Sequence, residues 1–169
     1  MTDSGVLCLV VPAAGPLFVV ALVVHVGAGL VGVAAAAGAS LSAKGDGRHA
    51  RFGGVYVGAL GVLFASMLVM AVVRWPLDRH LMAIGSVAAA AGAAGLVDRR
   101  RAHRDSAHTT AMGCSYVALL TGFDVHNGAS LRLGDRLPEW VYWAAPSVVG
   151  IPMIARPVRR RTLPRPVWS

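Results

Sequence analysis

The sequence predicts an all-α integral membrane protein, a helical bundle with four core transmembrane helices and a short fifth. Of its 169 residues, 56% are hydrophobic and only 14% are charged, against about 25% charged in a typical soluble domain. A soluble fold of this size would need more polar surface to cover its core. Lipid tails, in contrast, can face apolar side chains directly. We therefore expect the lipid bilayer to be the main partner of this chain.

Five apolar stretches are long enough, or nearly so, to cross a bilayer, which takes ~20 residues as a helix. They cover residues 17–38, 52–73, 81–97, 111–130 and 140–155. The fourth contains Asp124, and the fifth is short and contains Pro146 and Pro152. We therefore interpret the fifth as an appendage to a four-helix core. Residues 1–155 are predicted to form one transmembrane domain, and residues 156–169 a basic cytoplasmic tail.

The basic residues predict an orientation in the membrane. With five spans and the N-terminus outside, the loops after spans one and three and the tail face the cytoplasm. These segments hold twelve of the sixteen Lys and Arg residues, namely Lys44, Arg48, Arg51, Arg99, Arg100, Arg101, Arg104, Arg156, Arg159, Arg160, Arg161 and Arg165. Cytoplasmic loops collect Lys and Arg in this way. Because topology accounts for the net charge of +8, we expect no nucleic-acid partner.

Several common functional signatures are missing from the sequence. Cys8 and Cys114 lie far apart without CxxC spacing, which argues against a disulfide framework or a cysteine-rich metal site. We find no phosphate-binding loop, dinucleotide-binding fingerprint, zincin helix or nucleophile elbow, so the catalytic residues are unknown. The N-terminus lacks the basic region of a cleavable signal peptide. Gly54-xxx-Gly58 is a small-xxx-small pattern that predicts close helix packing, although glycines also leave room for a flat cofactor.

Five of the six histidines fall into two layers by their predicted depth, and the sixth, His103, lies in a loop. The outer layer contains His25, His80 and His126 together with Asp124, and the inner layer contains His49 and His108. Ionisable side chains inside a membrane are costly, so they usually face the bundle interior and pair. A carboxylate such as Asp124 can orient a ligating imidazole through its second N–H. Alternatively, each histidine could be a packed polar residue, a contact for lipid headgroups or part of a proton relay.

Histidines from two helices can ligate haem iron axially, and two histidine layers are similar to the general plan of di-haem membrane cytochromes. We therefore take haem b as the candidate cofactor and His49 and His108 as candidate iron ligands. The further cofactor-binding candidates are His25, His126, Tyr56 and Asp124. His49 and Tyr56 share a helix face by their spacing, as do His108 and Ser115. If both faces point inward, the two imidazoles would approach each other.

Two motifs resemble those of a known family. His49-x-x-x-Gly53-x-Val55-Tyr56 is similar to HRxxGRVY. A second run, from Arg104 through His108, Met112 and Ser115 to Tyr116, is similar to RDxxHRRWMxRSY. With His25 in the first helix, these motifs occur in order and at matching spacing in bacterial predicted membrane proteins of domain of unknown function 2306. The resemblance covers roughly residues 25–130. It implies the helix order and a bacterial inner-membrane location, but no activity, because the family has none agreed.

This sequence departs from the family motifs at several basic positions. Ala50 and Gly54 replace the two arginines of the first motif, Thr109 and Thr110 replace two basic residues of the second, and Ala111 replaces its tryptophan. The motif histidines are present while the neighbouring charges are lost. The histidines are therefore better functional candidates than the basic positions of the motifs.

Three hypotheses on function follow from the sequence. The first is a redox or haem-binding membrane protein that uses interior histidines. The second is a non-catalytic scaffold or partner subunit, in a homo-oligomer or with another membrane protein, held by small-residue packing. The third is a proton-coupled transporter that uses Asp124, His126 and His25, which the absence of visible inverted repeats disfavours.

Overall fold

Five helices make up most of the described chain, which agrees with the predicted helical fold class. The computed structural model describes residues 5–6, 9–10, 15–43, 47–74, 79–101, 105–127 and 137–162. The helices are α1 (Gly15–Leu41), α2 (Gly47–Val73), α3 (Arg79–Arg101), α4 (Asp105–Asn127) and α5 (Glu139–Thr162). Before them, β1 (Gly5–Val6) pairs antiparallel with β2 (Leu9–Val10). The chain divides into two compact units, residues 1–83 and 84–169.

Most of the helices are longer than the apolar stretches that predicted them. At the end of α1, Ser40 donates to the carbonyl of Ala36 at 2.8 Å and Ser42 to that of Gly38 at 2.7 Å. These bonds let polar residues continue the helix past its apolar part. Helix α4 begins six residues before the predicted start at residue 111, and α5 continues to Thr162. The last part of the predicted tail, residues 163–169, lies outside the described residues.

In the described part of the chain, three helices are long and apolar enough to cross a membrane. They are Gly15–Leu41, Gly47–Val73 and His80–Asp98. Large apolar side chains on α1 are exposed, including Val23 at 67% and Leu30 at 70%. Such a surface suits lipid tails rather than water. Helix α4 does not reach the same hydropathy, since it carries Asp105, Asp124 and several hydroxyl and imidazole side chains.

The first unit contains an antiparallel hairpin of α1 and α2. Phe52 lies against Gly38 near the connecting loop, and Leu63 lies against Gly29 further along. The buried face of α2 follows helical spacing and contains Tyr56, Leu60, Leu63 and Met67. At the open end of the hairpin, the Arg74 guanidinium lies 5.4 Å from the ring centre of Phe18, as in a cation–π contact. Both ends of the hairpin are therefore held by contacts between the helices.

The second unit is built from close antiparallel helix contacts at glycines. A Cβ added at Gly95 of α3 would lie 2.9 Å from the Met112 side chain of α4. A Cβ added at Gly113 of α4 would lie 2.5 Å from Ile154 of α5. Gly150 of α5 is similarly close to Val117 of α4. These glycines have no side chain, and this allows the helix backbones to approach.

Within the first unit, α2 does not use its small-xxx-small pattern to pack against α1. Gly54 and Gly58 are exposed, and a Cβ added at either would meet nothing within 4 Å. The face of α2 that packs against α1 is the one with Tyr56 and Leu63. Spacing alone identified a glycine face but could not say which side of the helix packs.

We expect Gly150→Ala to destabilise the second unit and Gly58→Ala to leave the first intact. In an exposed helix position, alanine is more favourable than glycine by about 1 kcal/mol. At residue 150 the new methyl would overlap Val117, whose branched side chain has one strongly preferred rotamer in a helix. Overpacking of this kind costs about 1–3 kcal/mol. Unfolding of the purified variants by denaturing detergent measures both effects, and equal midpoints would contradict the packing at Gly150.

Candidate functional site

Hydrogen bonds from histidine side chains link neighbouring helices in both units. His49 is the third residue of α2 and is half-buried. Its Nδ1 lies 2.9 Å from the carbonyl oxygen of Ala39 in α1. The last four carbonyls of a helix have no partner within the helix, and Ala39 is among them because α1 ends at Leu41. The imidazole therefore donates a bond that the end of α1 otherwise lacks.

His108 makes the corresponding bond in the second unit. It is the fourth residue of α4, is half-buried, and places Nδ1 2.7 Å from the carbonyl oxygen of Gly95 in α3. Gly95 is buried, and Met112 of α4 packs over it. A carbonyl oxygen has two lone pairs, so it can accept this bond beside its own helical one. The missing side chain at residue 95 gives the imidazole and Met112 room to approach.

These bonds determine the tautomer of both rings. A carbonyl oxygen can only accept, so Nδ1 must carry the hydrogen in each case. In the neutral ring, Nε2 then holds a lone pair. Among the described residues, Nε2 has no hydrogen-bond partner in either His49 or His108. A neutral ring with this bond has the form in which imidazole binds a metal ion.

His25 is the one ionisable side chain of α1 and bonds to Ser66 of α2, with Nδ1 3.1 Å from Oγ. The Ser66 hydroxyl already donates to the carbonyls of Val62 at 2.9 Å and Leu63 at 3.0 Å. When that hydrogen points to either carbonyl, the Ser66 oxygen accepts from His25, and Nδ1 of His25 is then the donor. His25 lies ten residues after Gly15, which is ~15 Å along the helix at 1.5 Å per residue.

The helix faces that carry the two sequence motifs turn toward the preceding helix, from α2 toward α1 and from α4 toward α3. Tyr56, seven residues after His49, is 2% exposed. Ser115, seven residues after His108, is fully buried and donates to the carbonyl of Ala88 in α3 at 2.8 Å. Sequence reasoning placed Ser115 in a motif but gave it no role. The signal that could have revealed its role is its seven-residue spacing from His108.

The predicted outer layer is only partly described. His80 is exposed at the start of α3, and Asp124 is half-buried in α4. The side chain of His126 and the whole of His103 lie outside the described residues. The part of the chain that is described holds no group of three or more His, Cys, Asp or Glu side chains that could hold a metal ion. The structure brings His25 to Ser66, while His49 lies in the first unit and His108 in the second.

No protein-family model, curated protein or solved structure matches this chain. The resemblance to domain of unknown function 2306 therefore remains a prediction from the two motifs.

We expect His49 and His108 to carry hydrogen on Nδ1 in the purified, haem-free protein. Two-dimensional NMR spectra that correlate the ring nitrogens with the ring protons distinguish the two tautomers in mildly alkaline detergent solution. His80 is the reference, because its side chain is exposed. Spectra in which both residues hold the hydrogen on Nε2 would contradict the bonds to Ala39 and Gly95.

Proposed function

We propose that this chain is a small bacterial inner-membrane protein that binds haem b through interior histidines and transfers electrons. The observation that supports this most directly is the repeated environment of His49 and His108. In each ring Nδ1–H donates to a backbone carbonyl of the preceding helix, and Nε2 keeps a lone pair. A ligating histidine in metalloproteins almost always donates its other N–H to a carbonyl, carboxylate or water.

We further propose that α4 and α5 complete the bundle as fourth and fifth spans, with the N-terminus outside and the C-terminus in the cytoplasm. The bias of twelve basic residues against four supports this orientation. Trp140 and Trp143 at the start of α5 are exposed, as interfacial tryptophans are. The polar positions of α4 then lie inside the bundle, where ionisable groups in membranes are usually found.

The histidine imidazoles of this chain are chemically suitable as ligands for haem iron. Imidazole nitrogen is a common axial ligand, and bound haem would supply one-electron redox chemistry at this site. The bond from His49 to Ala39 holds the ring against rotation and makes Nε2 a better donor to a metal. The bond from His108 to Gly95 has the same effect. Both carbonyls belong to helices, so the orientation of each ring is set by rigid backbone.

The remaining site candidates have supporting roles in this proposal. Tyr56 is buried two turns beyond His49 and excludes solvent from the inner layer. His25, held by Ser66, and His126 are candidate ligands of the outer layer. Asp124 would orient an outer-layer imidazole by accepting its N–H.

We expect the purified chain, expressed with an adequate haem supply, to show a Soret band and visible bands that change on reduction with dithionite. Because Nε2 of each ring is the proposed ligand, His49→Ala and His108→Ala should each remove or strongly shift these bands. Absorption spectra of the oxidised and reduced protein measure the effect.

His80→Ala is the matched control, since His80 is exposed and lies at the opposite end of α3 from Gly95. It should leave the spectrum unchanged. Circular dichroism would show that all three variants keep their helices. The absence of a Soret band in the native protein would reject the haem proposal, and a band retained in both His49→Ala and His108→Ala would reject these ligands.

A second candidate function is that of a partner subunit, and the glycine face of α2 favours it. Gly54, Gly58 and Gly61 are exposed, and an added Cβ at each would meet nothing within 4 Å. A helix from another chain could approach closely at such a face. This candidate needs no cofactor.

If α2 contacts a partner helix, Gly58→Ile should reduce co-purification of that partner several-fold without unfolding the hairpin, because the position is open. Val23→Ile, an exposed change on α1, is the control for added bulk. Quantitative mass spectrometry of the membrane complex measures the stoichiometry. A haem-free native protein that purifies as a monomer with no partner would contradict this function.

A further inference from the structure

A large side chain about one turn after each inner-layer histidine packs over a glycine of the preceding helix. In the second unit this side chain is Met112, four residues after His108. A Cβ added at Gly95 would lie 2.9 Å from both Cγ and Sδ of Met112, and the carbonyl of the same glycine accepts the His108 bond at 2.7 Å. Residues four apart share a face of a helix. The imidazole and the thioether therefore meet α3 at one residue.

The first unit repeats this arrangement with Phe52, three residues after His49. A Cβ added at Gly38 would lie 3.0 Å from two ring carbons of Phe52. The next residue of α1, Ala39, provides the carbonyl that accepts the His49 bond at 2.9 Å. Residues three apart also share a helix face, so the phenyl ring and the imidazole reach α1 side by side. Each unit thus combines a histidine bond with a packed glycine at the same place.

The packing at these glycines and the histidine bonds depend on the same separation of the helices. If a larger residue replaced either glycine, the helices would have to move apart or the packed side chain would have to turn away. Hydrogen bonds from nitrogen to oxygen span about 2.7–3.2 Å, so a displacement of about 1 Å is enough to break them. Shortening the packed side chain instead leaves a void, which the surrounding structure fills only in part by shifting. Either change moves the imidazole relative to its carbonyl.

We propose that Phe52 and Met112 are positioning residues for His49 and His108. Each holds its helix against the preceding one at the separation at which Nδ1–H reaches the carbonyl oxygen, and so fixes the direction of Nε2. The inference rests on the proposed function only where haem is concerned, because the ring bonds themselves need no cofactor. The two sets of contacts lie in separate units, so a change in one set should leave the histidine of the other unit unaffected.

The test compares the two rings in one haem-free sample of the full chain in detergent, by the NMR signals and solvent-exchange rates of their Nδ1–H groups. Met112→Ala should speed exchange at His108 by about tenfold, which corresponds to the loss of one hydrogen bond, and leave His49 unchanged. Phe52→Ala should have the reverse effect. Met112→Leu nearly conserves the side-chain volume, so it should keep the native signal of His108.

Gly95→Ala examines the same contact from the opposite helix. It keeps the carbonyl of residue 95 but puts a methyl group where Met112 packs, so it should also release His108. Adding Met112→Ala removes this overlap, and the double variant should exchange more slowly at His108 than Gly95→Ala does. Gly58→Ala, at an open position of α2, is the control for an added methyl group.

Unchanged exchange at His108 in Met112→Ala, or at His49 in Phe52→Ala, would overturn the proposal. Equal changes at both histidines in either variant would also overturn it, since they would report a general loosening. If circular dichroism shows that Met112→Ala or Gly95→Ala does not fold, the double variant decides. A double variant that folds and keeps the His108 signal supports the proposal, and one that also fails to fold overturns it.

Absorption spectra of the haem-loaded variants separate this inference from the proposed function. If the native chain binds no haem, the haem proposal fails, and the exchange rates still decide the positioning role. If haem binds, Met112→Ala should shift the reduced and oxidised bands, whereas Met112→Leu should not. Bands that are lost in His108→Ala but unaltered in Met112→Ala would reject the positioning role and leave the ligand assignment intact.

Discussion

In a bilayer, the polar groups of the backbone and of the side chains must find their hydrogen-bond partners within the protein. In this chain, polar side chains meet the requirement by donating hydrogen bonds to backbone carbonyls. Ser66 and Thr121 donate to their own helices, whereas His49 and His108 donate to the preceding helix. Among the described residues, no buried side-chain nitrogen or oxygen is left without a partner. The folding of each hairpin therefore depends on a small number of directional bonds.

Those bonds fix the register of the helices, and the glycines fix their separation. Helices rich in alanine and glycine can pack in many alternative registers with similar energy, because their small or absent side chains do not interlock with those of a neighbouring helix. A bond from His108 to Gly95, together with one from Ser115 to Ala88, allows one axial position for α4 against α3. Gly113 and Gly150 then bring α4 and α5 close, because the atoms opposite them leave no space for a Cβ.

The sequence was sufficient to predict the helices, their order and the residues with polar chemistry. It predicted the shared faces of His49 with Tyr56 and of His108 with Ser115, because helical spacing fixes them locally. It could not identify the carbonyls of Ala39 and Gly95 as partners, because every residue carries the same backbone acceptor. It also selected Gly54 and Gly58 for packing, although close contacts occur at Gly38, Gly113 and Gly150. Which glycine packs depends on the rotation of a whole helix.

The choice of histidine for these bonds is itself informative. A helix can be joined to its neighbour by serine, as Ser115 shows, and an asparagine or glutamine amide could also donate to a carbonyl. Imidazole differs because it donates through one nitrogen and keeps a second, chemically distinct nitrogen with a lone pair. A purely structural bond makes no use of that second nitrogen, whereas a ligand or a proton-accepting group requires it. The same arrangement occurs at the start of both α2 and α4, which favours a chemical role for Nε2 in addition to the structural role of Nδ1.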